Sequence, residues 1–357
     1  MRRWLALFLL MLAGPLWAAD YPQVVPGRAF AFPADHGAHP DYRTEWWYAT
    51  GWLRTKSGER LGFQVTFFRS RLLVDPANTS RFAPRQILFA HAALSDAAHG
   101  RLRHAERTAR AGFGLAEARL GDMDVRIDDW SLVRSEGGVM RAKVAGDDFA
   151  LDLALTPTQP VLLQGKGGYS RKGPDPAEAS HYYTLPQIKV SGEIRRGDGA
   201  ESVSGTAWLD REWSSTLLNE KAVGWDWLGL NMDDGGALTL FRVRRADGTA
   251  LWAGGSYRAA DGALTALGVE DVRFLKARRW TSARTGARYP VAPVVEVRLP
   301  AGVRRLTVRP LMDDQELDSR RGGGPVYWEG AVEVDGGAGW RGRGYLEMTG
   351  YLAALKM

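Results

Sequence analysis

The chain contains no cysteine among its 357 residues. This absence excludes a disulfide scaffold and a lipid-modified N-terminal cysteine. The sequence also has neither a Gly-x-Ser-x-Gly elbow nor a phosphate-binding glycine-rich loop. The sequence therefore lacks the motifs that serine hydrolases and nucleotide-dependent enzymes use. Packing of the core alone must hold the folded chain together.

Long apolar runs are also scarce. After the first nineteen residues, no segment approaches the length of a membrane-spanning helix. Those nineteen residues have a basic start, an apolar run from Trp4 to Leu12, and a small-residue end at Ala18 and Ala19. These are the features of a secretory signal peptide cleaved after Ala18 or Ala19. Because the leader is bacterial in type, we expect a periplasmic protein that is not integral to the membrane.

Charge is nearly balanced, with 47 Lys and Arg against 41 Asp and Glu. The paired arginines at 278–279, 304–305 and 320–321 are short and far apart, as is typical of solvated strand ends. We therefore expect no nucleic-acid binding. The 14 tryptophans are more unusual and indicate either large aromatic interiors or a ligand cavity.

Most of the chain has the pattern of short strands separated by Gly, Asp and Pro. A first set is predicted at 45–54, 60–69, 87–95, 125–133, 139–144, 149–157 and 188–194. A second set is predicted at 224–232, 237–244, 250–257, 269–274, 294–299, 304–310, 327–334 and 342–349. The weak helical pattern at 103–118 predicts at most a short helix, and 74–86 and 164–186 are predicted as long loops. The chain is long enough for two domains, which we place at 20–218 and 219–357.

The stretch 35–53 is the densest in reactive side chains. Arg43, Glu45 and Trp47 share one face if this stretch is a strand, so the charged pair is either solvated or lines a cavity. Asp35-His36-x-x-His39 has the residue types of a metal site but no third histidine nearby, so we predict no metal. No cofactor is predicted either.

Several motifs carry a family resemblance. They are Phe32-Pro-x-Asp-His-Gly-x-His-Pro40, Arg43-Thr-Glu-Trp-Trp-Tyr48, His181-Tyr-Tyr183, Trp208-Leu-Asp-Arg-Glu-Trp213, Gly224-Trp-Asp-Trp227, Asp314-Gln-Glu-Leu317, Tyr327-Trp-Glu-Gly330 and Gly344-Tyr-Leu-Glu-x-Thr-Gly-Tyr351. Together they resemble the AttH and carotenoid hydratase (CrtC) family of lipocalin-like proteins. The resemblance covers nearly all of the chain after the leader. It implies an all-β fold of two tandem lipocalin-like antiparallel β-barrel domains.

The resemblance leaves the activity open, because function belongs to the site rather than the fold. Some relatives hydrate a carotenoid double bond, some cyclise apolar polyenes, and many are exported proteins encoded beside an ABC transporter permease. The family segment usually reads Asp-His-Glu-Trp, whereas this chain has Asp210-Arg211-Glu212-Trp213. Arginine cannot give up its proton at useful pH, which argues against a hydratase that uses this position.

Candidate acids are Asp210, Glu212 and Asp226, whose alternative role is a carboxylate and arginine network that braces the junction between the barrels. Protonating an alkene needs a positioned acid, and aromatic faces can stabilise the resulting cation. The candidate ligand-binding residues are Arg43, Glu45, Trp47, His181, Tyr183, Trp213 and Trp225. For His181 a structural hydrogen-bonding role is an equal alternative, and Trp213 is also a candidate core residue.

Three functions remain open. The leading hypothesis is an exported protein that binds a lipid or isoprenoid-like small molecule at a barrel mouth and works with an ABC transporter permease. The second is a hydratase, isomerase or cyclase that acts on an isoprenoid or carotenoid-like substrate by acid catalysis. The third is an adaptor whose barrels are filled by their own side chains.

Overall fold

We describe the fold from a computed structural model that covers residues 21–75, 77–216 and 218–355. The predicted signal peptide lies outside the described residues. Within them the chain is almost entirely β-sheet, with two short 3-10 helices at Ala34–His36 and Arg320–Gly322. No helix in these ranges is long and apolar enough to cross a membrane.

The first sheet contains thirteen strands. They are β1 Thr44–Thr55, β2 Arg60–Arg71, β3 Gln86–Asp96, β4 Arg103–Arg110, β5 Ala116–Ala118, β6 Asp124–Ile127, β7 Trp130–Arg134, β8 Met140–Ala145, β9 Phe149–Thr156, β10 Leu162–Leu163, β11 Tyr169–Arg171, β12 Ala179–Arg196 and β13 Gly199–Thr216. The order across the sheet is β4-β3-β2-β1-β13-β12-β9-β8-β7-β6-β5, with β10 and β11 paired to β12. Because β4 also lies against β6, the sheet curls almost into a closed barrel.

The second sheet contains ten strands. They are β14 Gly224–Met232, β15 Ala237–Arg244, β16 Ala250–Arg258, β17 Leu264–Leu267, β18 Val272–Thr281, β19 Arg288–Leu299, β20 Gly302–Pro310, β21 Glu316–Asp318, β22 Val326–Asp335 and β23 Arg341–Met348. The order is β17-β16-β15-β14-β23-β22-β20-β19-β18, with β21 paired to β22. β18 lies against β15 and β16, so this sheet also curls round on itself.

The architecture confirms the predicted fold class of two tandem lipocalin-like antiparallel barrels. The first sheet ends at Thr216 and the second begins at Gly224. The predicted division at residue 218 falls between them, and as a domain boundary it stays a prediction.

Each barrel has an inner and an outer face, because successive side chains along a strand point to opposite sides. On β1, Trp47, Ala49 and Leu53 point into the first barrel, whereas Tyr48 and Trp52 point out of it. The second barrel encloses a separate apolar core. The two barrels therefore have independent interiors, and their outer faces are free to meet.

The outer faces pack against each other over a third apolar cluster that contains residues of both sheets. Hydrogen bonds cross the same boundary. The Trp52 indole donates to the carbonyl of Gly344 at 3.1 Å, and the Asn231 amide donates to the carbonyl of Ala207 at 2.9 Å. The barrels thus form a continuous buried interface.

Two predicted elements were wrong. The stretch 103–118 contains strands β4 and β5 and no helix. β4 pairs with β3 at the edge of the first sheet, which explains why its side chains are mostly half-buried and need not be apolar. The predicted loop 164–186 also contains β11 and the start of β12, so His181 lies within a strand. Pro186 interrupts that strand at a register shift between Leu185 and Ile188, where an irregular pairing tolerates proline.

Candidate active site

A buried polar cluster occupies the interface between the barrels. Its members come from the outer faces of β1, β12, β13, β14, β22 and β23. Three of them lie on β13 and β14. Asp210 is 3% exposed and lies beside Trp208 on the outer face of β13, and Trp227 faces them from β14. Burial among aromatic rings shifts the pKa of a carboxyl group, and shifted pKa values are common at functional sites.

Three side chains donate hydrogen bonds to the Asp210 carboxylate. The Tyr182 hydroxyl donates at 2.7 Å, the Thr184 hydroxyl at 2.5 Å and the Trp208 indole at 2.8 Å. The Tyr182 oxygen in turn accepts a hydrogen bond from the Trp227 indole at 3.2 Å. These donors favour the charged form of Asp210, but burial dominates and raises its pKa to about 7. Asp210 can therefore carry a proton near neutral pH.

Two further acids face the same interface from the second barrel. Glu329 on β22 and Glu347 on β23 are directly paired across neighbouring strands, which places their side chains on the same face at short range. Burial raises the pKa of Glu347 to about 8, with Trp225 opposing the rise and the charges of Asp210 and Glu212 adding to it.

Glu329 and Glu347 titrate as a pair. Burial raises the pKa of Glu329 well above its ordinary value, and the neighbouring charge of Glu347 adds to the effect. Two buried carboxylates on directly paired residues repel each other when both are ionised, so the pair holds at least one proton at neutral pH. Glu347 keeps some accessible surface, whereas Glu329 is 1% exposed. Glu347 is therefore the less buried member of the pair.

Phenols and a neutral histidine surround the Glu329 side. The Tyr327 hydroxyl lies 2.6 Å from His91 Nδ1, and burial lowers the pKa of His91 to about 3. Burial, with Glu329 nearby, raises the pKa values of Tyr48 and Tyr327 well above the ordinary phenol value. The Tyr48 hydroxyl and one Glu329 oxygen are buried without a hydrogen-bond partner among the described residues. Tyr48 and Tyr327 therefore lie beside the Glu329 carboxyl group, although Tyr48 does not meet it in a well-aligned hydrogen bond.

Glu212 has a different environment from Asp210. It accepts a hydrogen bond from Ser180 and forms an ion pair with Lys172 at 3.0 Å. The Lys172 ammonium also lies over the rings of Tyr182 and Phe241, at 4.6 and 4.7 Å from their centroids. Glu212 is therefore engaged in an ion pair, whereas Asp210 accepts hydrogen bonds from neutral donors.

Asp226, the third predicted acid, does not join this cluster. It lies on the inner face of β14, where it accepts hydrogen bonds from Arg242 at 2.6 Å, Arg244 at 3.1 Å and Tyr351 at 2.9 Å. Asp226 is therefore held between two arginines inside the second barrel and does not brace the junction between the barrels.

The fold separates Arg43 from Glu45 and Trp47, with which it was predicted to share a face. Arg43 precedes β1 and is exposed, whereas Glu45 is fully buried inside the first barrel. Glu45 accepts hydrogen bonds from Arg69 and Arg211, and the Arg211 guanidinium stacks over Trp47 at 3.9 Å. The charges at 45, 69 and 211 therefore brace the barrel interior and do not line the interface.

Arg211 therefore lies at a different site from Asp210 and Glu212, its neighbours in sequence. Because sides alternate along β13, Asp210 and Glu212 face the second barrel while Arg211 points inward to Glu45. It also donates a hydrogen bond to the carbonyl of Gly37 at 2.5 Å, which ties the loop before β1 to the barrel. An arginine at this position thus leaves the acids at the interface unaffected.

His181, Tyr183 and Trp213 lie together inside the first barrel. The Trp213 ring stacks on His39 with centroids 3.7 Å apart, and the Tyr183 hydroxyl lies 2.6 Å from His36 Nδ1. Burial lowers the pKa of His181 to about 4. These rings pack with each other and with the loop before β1, away from the interface. Of the predicted ligand-binding residues, only Trp225 adjoins the interfacial acids.

Sequence reasoning missed Glu329, Glu347, Tyr182 and Tyr48 as site residues. Glu329 and Glu347 stand on separate strands, and their side-by-side position follows only from the register of β22 and β23. The available signal was that each lies on an apolar strand at a position where a charged residue is normally exposed.

Comparison with known proteins identifies the family. The AttH-like family model matches residues 23–351. The chain belongs to the AttH-like family. The crystal structure of an AttH protein from Nitrosomonas europaea is 50% identical in sequence, covers 93% of this chain and 99% of its own, and superimposes with a TM-score of 0.86. No protein of curated function matches in sequence.

More distant structures share the fold, and one of them is named as an enzyme. Kievitone hydratase from Nectria haematococca is 14% identical, with a TM-score of 0.69 over 94% of this chain and 96% of that protein. The structure of CghA with Sch210972 is also 14% identical, with a TM-score of 0.52 over 87% and 89% of the two chains. At this identity the similarity establishes a shared fold.

Proposed function

We propose that this AttH-like protein is an exported enzyme that protonates a carbon–carbon double bond of an isoprenoid-like or other apolar small molecule at the interface between its barrels. The outcome is hydration, isomerisation or cyclisation. The observation that carries the proposal is the set of protonated carboxylic acids, Asp210 with a pKa of about 7 and Glu347 with a pKa of about 8, among aromatic side chains.

Glu347 is the acid that we assign to the substrate, because it keeps accessible surface while Asp210 and Glu329 are buried. Its O–H bond breaks as a C–H bond forms, and the electrons of the double bond supply the new bond. The cation left on the neighbouring carbon is stabilised by the faces of Trp225 and Trp227 and by the new Glu347 carboxylate.

The cation then has three fates. Addition of water followed by loss of a proton gives the hydrated product. Attack by a second double bond forms a ring and a new cation, which loses a proton to give the cyclic product, and loss of a different proton from the first cation gives an isomer. In each case one proton is released and the Glu347 carboxylate takes it up, so the acid is regenerated. Tyr182 donates its hydroxyl hydrogen to Asp210 and accepts one from the Trp227 indole, which fixes the orientation of the Asp210 carboxyl group.

Similarity to proteins with this fold supports the proposal that this protein is an enzyme. One is named as a hydratase, and another was solved with the small molecule Sch210972. The carrier hypothesis has less support, because the first barrel is filled by its own side chains, including Trp47, Phe63, Trp130 and Trp213. The link to an ABC transporter permease rests on the family resemblance alone.

The test is deuterium incorporation. The purified protein is incubated in heavy water with acyclic polyenes such as squalene and lycopene, and products are analysed by mass spectrometry. We expect a product that carries carbon-bound deuterium. Glu347→Gln and Asp210→Asn should each lower the rate by about 100-fold or more, which is typical of losing a general acid.

Glu333→Gln is the matched control. Glu333 lies on the same strand as Glu329 but forms a surface ion pair with Arg60 at 2.7 Å, so its loss should leave the rate unchanged. Absence of deuterated product from every polyene, or full activity in both Glu347→Gln and Asp210→Asn, would remove the proposed function.

A further inference from the structure

The loops at one end of the first barrel expose large apolar side chains. Leu72 and Leu73 follow β2, Phe82 precedes β3, and Phe113 and Leu115 follow β4. Their exposed fractions are 37%, 62%, 71%, 56% and 42%. We call these five residues the apolar tip. An exposed apolar group of this size indicates a surface that contacts something other than water.

The two phenylalanines of the tip pack against each other. The rings of Phe82 and Phe113 stack with centroids 5.5 Å apart, although they come from different loops. The Arg110 guanidinium lies over both rings, at 5.8 and 4.5 Å from their centroids, and donates a hydrogen bond to the carbonyl of Arg81. The aromatic rings are thus held outward and are not folded back onto the barrel.

The two loops that form the tip carry more basic than acidic residues, while the exposed Asp128, whose backbone N–H donates to the Leu115 carbonyl, and Asp129 lie at the same end. The segments 71–85 and 110–115 contain four arginines, Arg71, Arg81, Arg85 and Arg110, and a single acidic residue, Asp75. Arg81 and Arg85 are exposed. Aromatic and leucine side chains ringed by arginines match the interfacial region of a bilayer, where rings enter the acyl boundary and cations meet anionic headgroups.

Aromatic side chains continue from the tip end of the first barrel along its outer face. Phe68 and Phe89 lie near the ends of β2 and β3 that carry the tip loop, and their rings stack at 4.5 Å on the outer face of the first barrel. Phe68 also contacts His91, which bonds Tyr327 of the second barrel. Aromatic side chains therefore lie on the outer face between the strand ends that carry the tip and the contact with the second barrel.

We infer that the apolar tip docks this protein onto the surface of an anionic lipid bilayer. The leucines and the two phenylalanines insert into the interfacial layer, and the surrounding arginines bind lipid phosphates. Docking in this way depends on the tip alone and does not require that the proposed reaction occurs. Its consequence for the enzyme is that an apolar substrate can pass from the bilayer toward the acids without crossing water.

The experiment is vesicle co-sedimentation. The full chain is expressed in bacterial cells and the resulting protein is purified. Mass spectrometry determines its N-terminus. We expect it to sediment with vesicles of equal parts phosphatidylcholine and phosphatidylglycerol at low salt. Binding should weaken as salt is added, and it should be weaker on phosphatidylcholine alone, because screening and loss of anionic lipid both remove the arginine contribution.

Paired variants separate the tip from general stickiness. Leu73→Ser and Leu264→Ser each replace a leucine that is 62% exposed, the first in the tip and the second on the second barrel. We expect Leu73→Ser, and the double variant Phe82→Ser/Phe113→Ser, to weaken vesicle binding about tenfold, since each loses apolar area that would be buried in lipid. Leu264→Ser should bind as the unmodified protein does.

A second pair tests the charge. Arg81→Gln should weaken binding about fivefold, the contribution of one basic residue near an anionic surface, whereas Arg279→Gln on β18 should have no effect. Failure of the unmodified protein to bind phosphatidylglycerol vesicles would overturn the inference, as would equal losses in the tip and control variants. A dimer in solution that Phe82→Ser/Phe113→Ser dissociates, without vesicle binding, would assign the tip to a second copy of the chain.

Discussion

At the scale of single residues, the interfacial acids make stability depend on pH. Asp210 and Glu347 have ordinary carboxyl pKa values of about 4 in the unfolded chain, but burial raises them to about 7 and about 8 in the folded protein. The folded state therefore binds more protons than the unfolded state between these values. Their contribution to stability is fully present below about pH 4 and is lost as pH rises toward about 8.

Buried histidines act in the opposite direction at lower pH. Burial lowers the pKa values of His36 and His181 to about 4 and of His91 to about 3. Their contribution to stability is present above about pH 6.5 and is lost as pH falls through these values. The acid contribution is therefore best measured as a difference between the protein and a variant that keeps every histidine.

We predict that Asp210→Asn flattens the loss of stability between about pH 5 and pH 8, by on the order of 2 kcal/mol in the free energy of unfolding. The asparagine cannot ionise, so folding no longer takes up a proton at this site. Urea unfolding at several pH values measures the difference. Glu333→Gln, which removes a surface carboxylate, should keep the pH dependence of the unmodified protein. Parallel curves for Asp210→Asn and the unmodified protein would contradict the raised pKa.

At the scale of strands, sequence patterns were sufficient where the residue pattern matched the local structure. The predicted strands 224–232 and 237–244 have the bounds of β14 and β15, because each is a run of apolar and aromatic residues between turn signals. Arg103–Arg110 failed because an edge strand need not be apolar, so alanine and arginine there resemble a helix.

The candidate site was harder to predict than the strands that form it. The motif at 208–213 identified Asp210 as a candidate acid. The motif alone does not show that Arg211 points into the first barrel while Asp210 faces the interface. The Glu329 and Glu347 pair depends on strand register, which long-range packing sets and local sequence does not. Single motifs therefore find some acids, while the cluster exists only in the folded interface.

Close approach of the sheets also depends on one strand position. A Cβ atom on Gly62 of β2 would lie 2.5 Å from the Ala331 Cβ and 3.0 Å from the Tyr345 hydroxyl oxygen, so no side chain fits without moving the second barrel. We predict that Gly62→Ala lowers the free energy of unfolding by about 1–3 kcal/mol through overpacking. Thermal unfolding monitored by circular dichroism measures the loss.

Gly137→Ala provides the comparison, because a Cβ there would meet only the Ser135 hydroxyl at 3.9 Å. That variant should unfold within about 0.5 kcal/mol of the unmodified protein, as exposed substitutions usually do. If Gly62→Ala is as stable as Gly137→Ala, the two outer faces are not in the close contact described here.

At the scale of the whole molecule, the interface makes the two barrels depend on each other. It contains tryptophan and tyrosine side chains of both sheets, and Gln187 of β12 donates hydrogen bonds to the carbonyls of Met232 and Gly236 in the second barrel. A barrel on its own would expose this aromatic face and its acids to water. Exposed patches of that kind are usual at interaction surfaces and promote aggregation in isolated fragments.

We therefore predict that the full chain unfolds in a single cooperative transition and that neither residues 20–218 nor residues 219–357 form a stable monomer alone. Differential scanning calorimetry should give one peak for the full chain. Each fragment should aggregate or bind a hydrophobic dye, while co-expression of both should restore a soluble complex, because the complex buries the face that each fragment exposes. Two calorimetric peaks, each matching the melting of a well-behaved fragment, would mean that the interface contributes little and that the acids lie between domains free to separate. In that case the raised pKa values of Asp210 and Glu347 would also disappear, since water would reach both carboxylates.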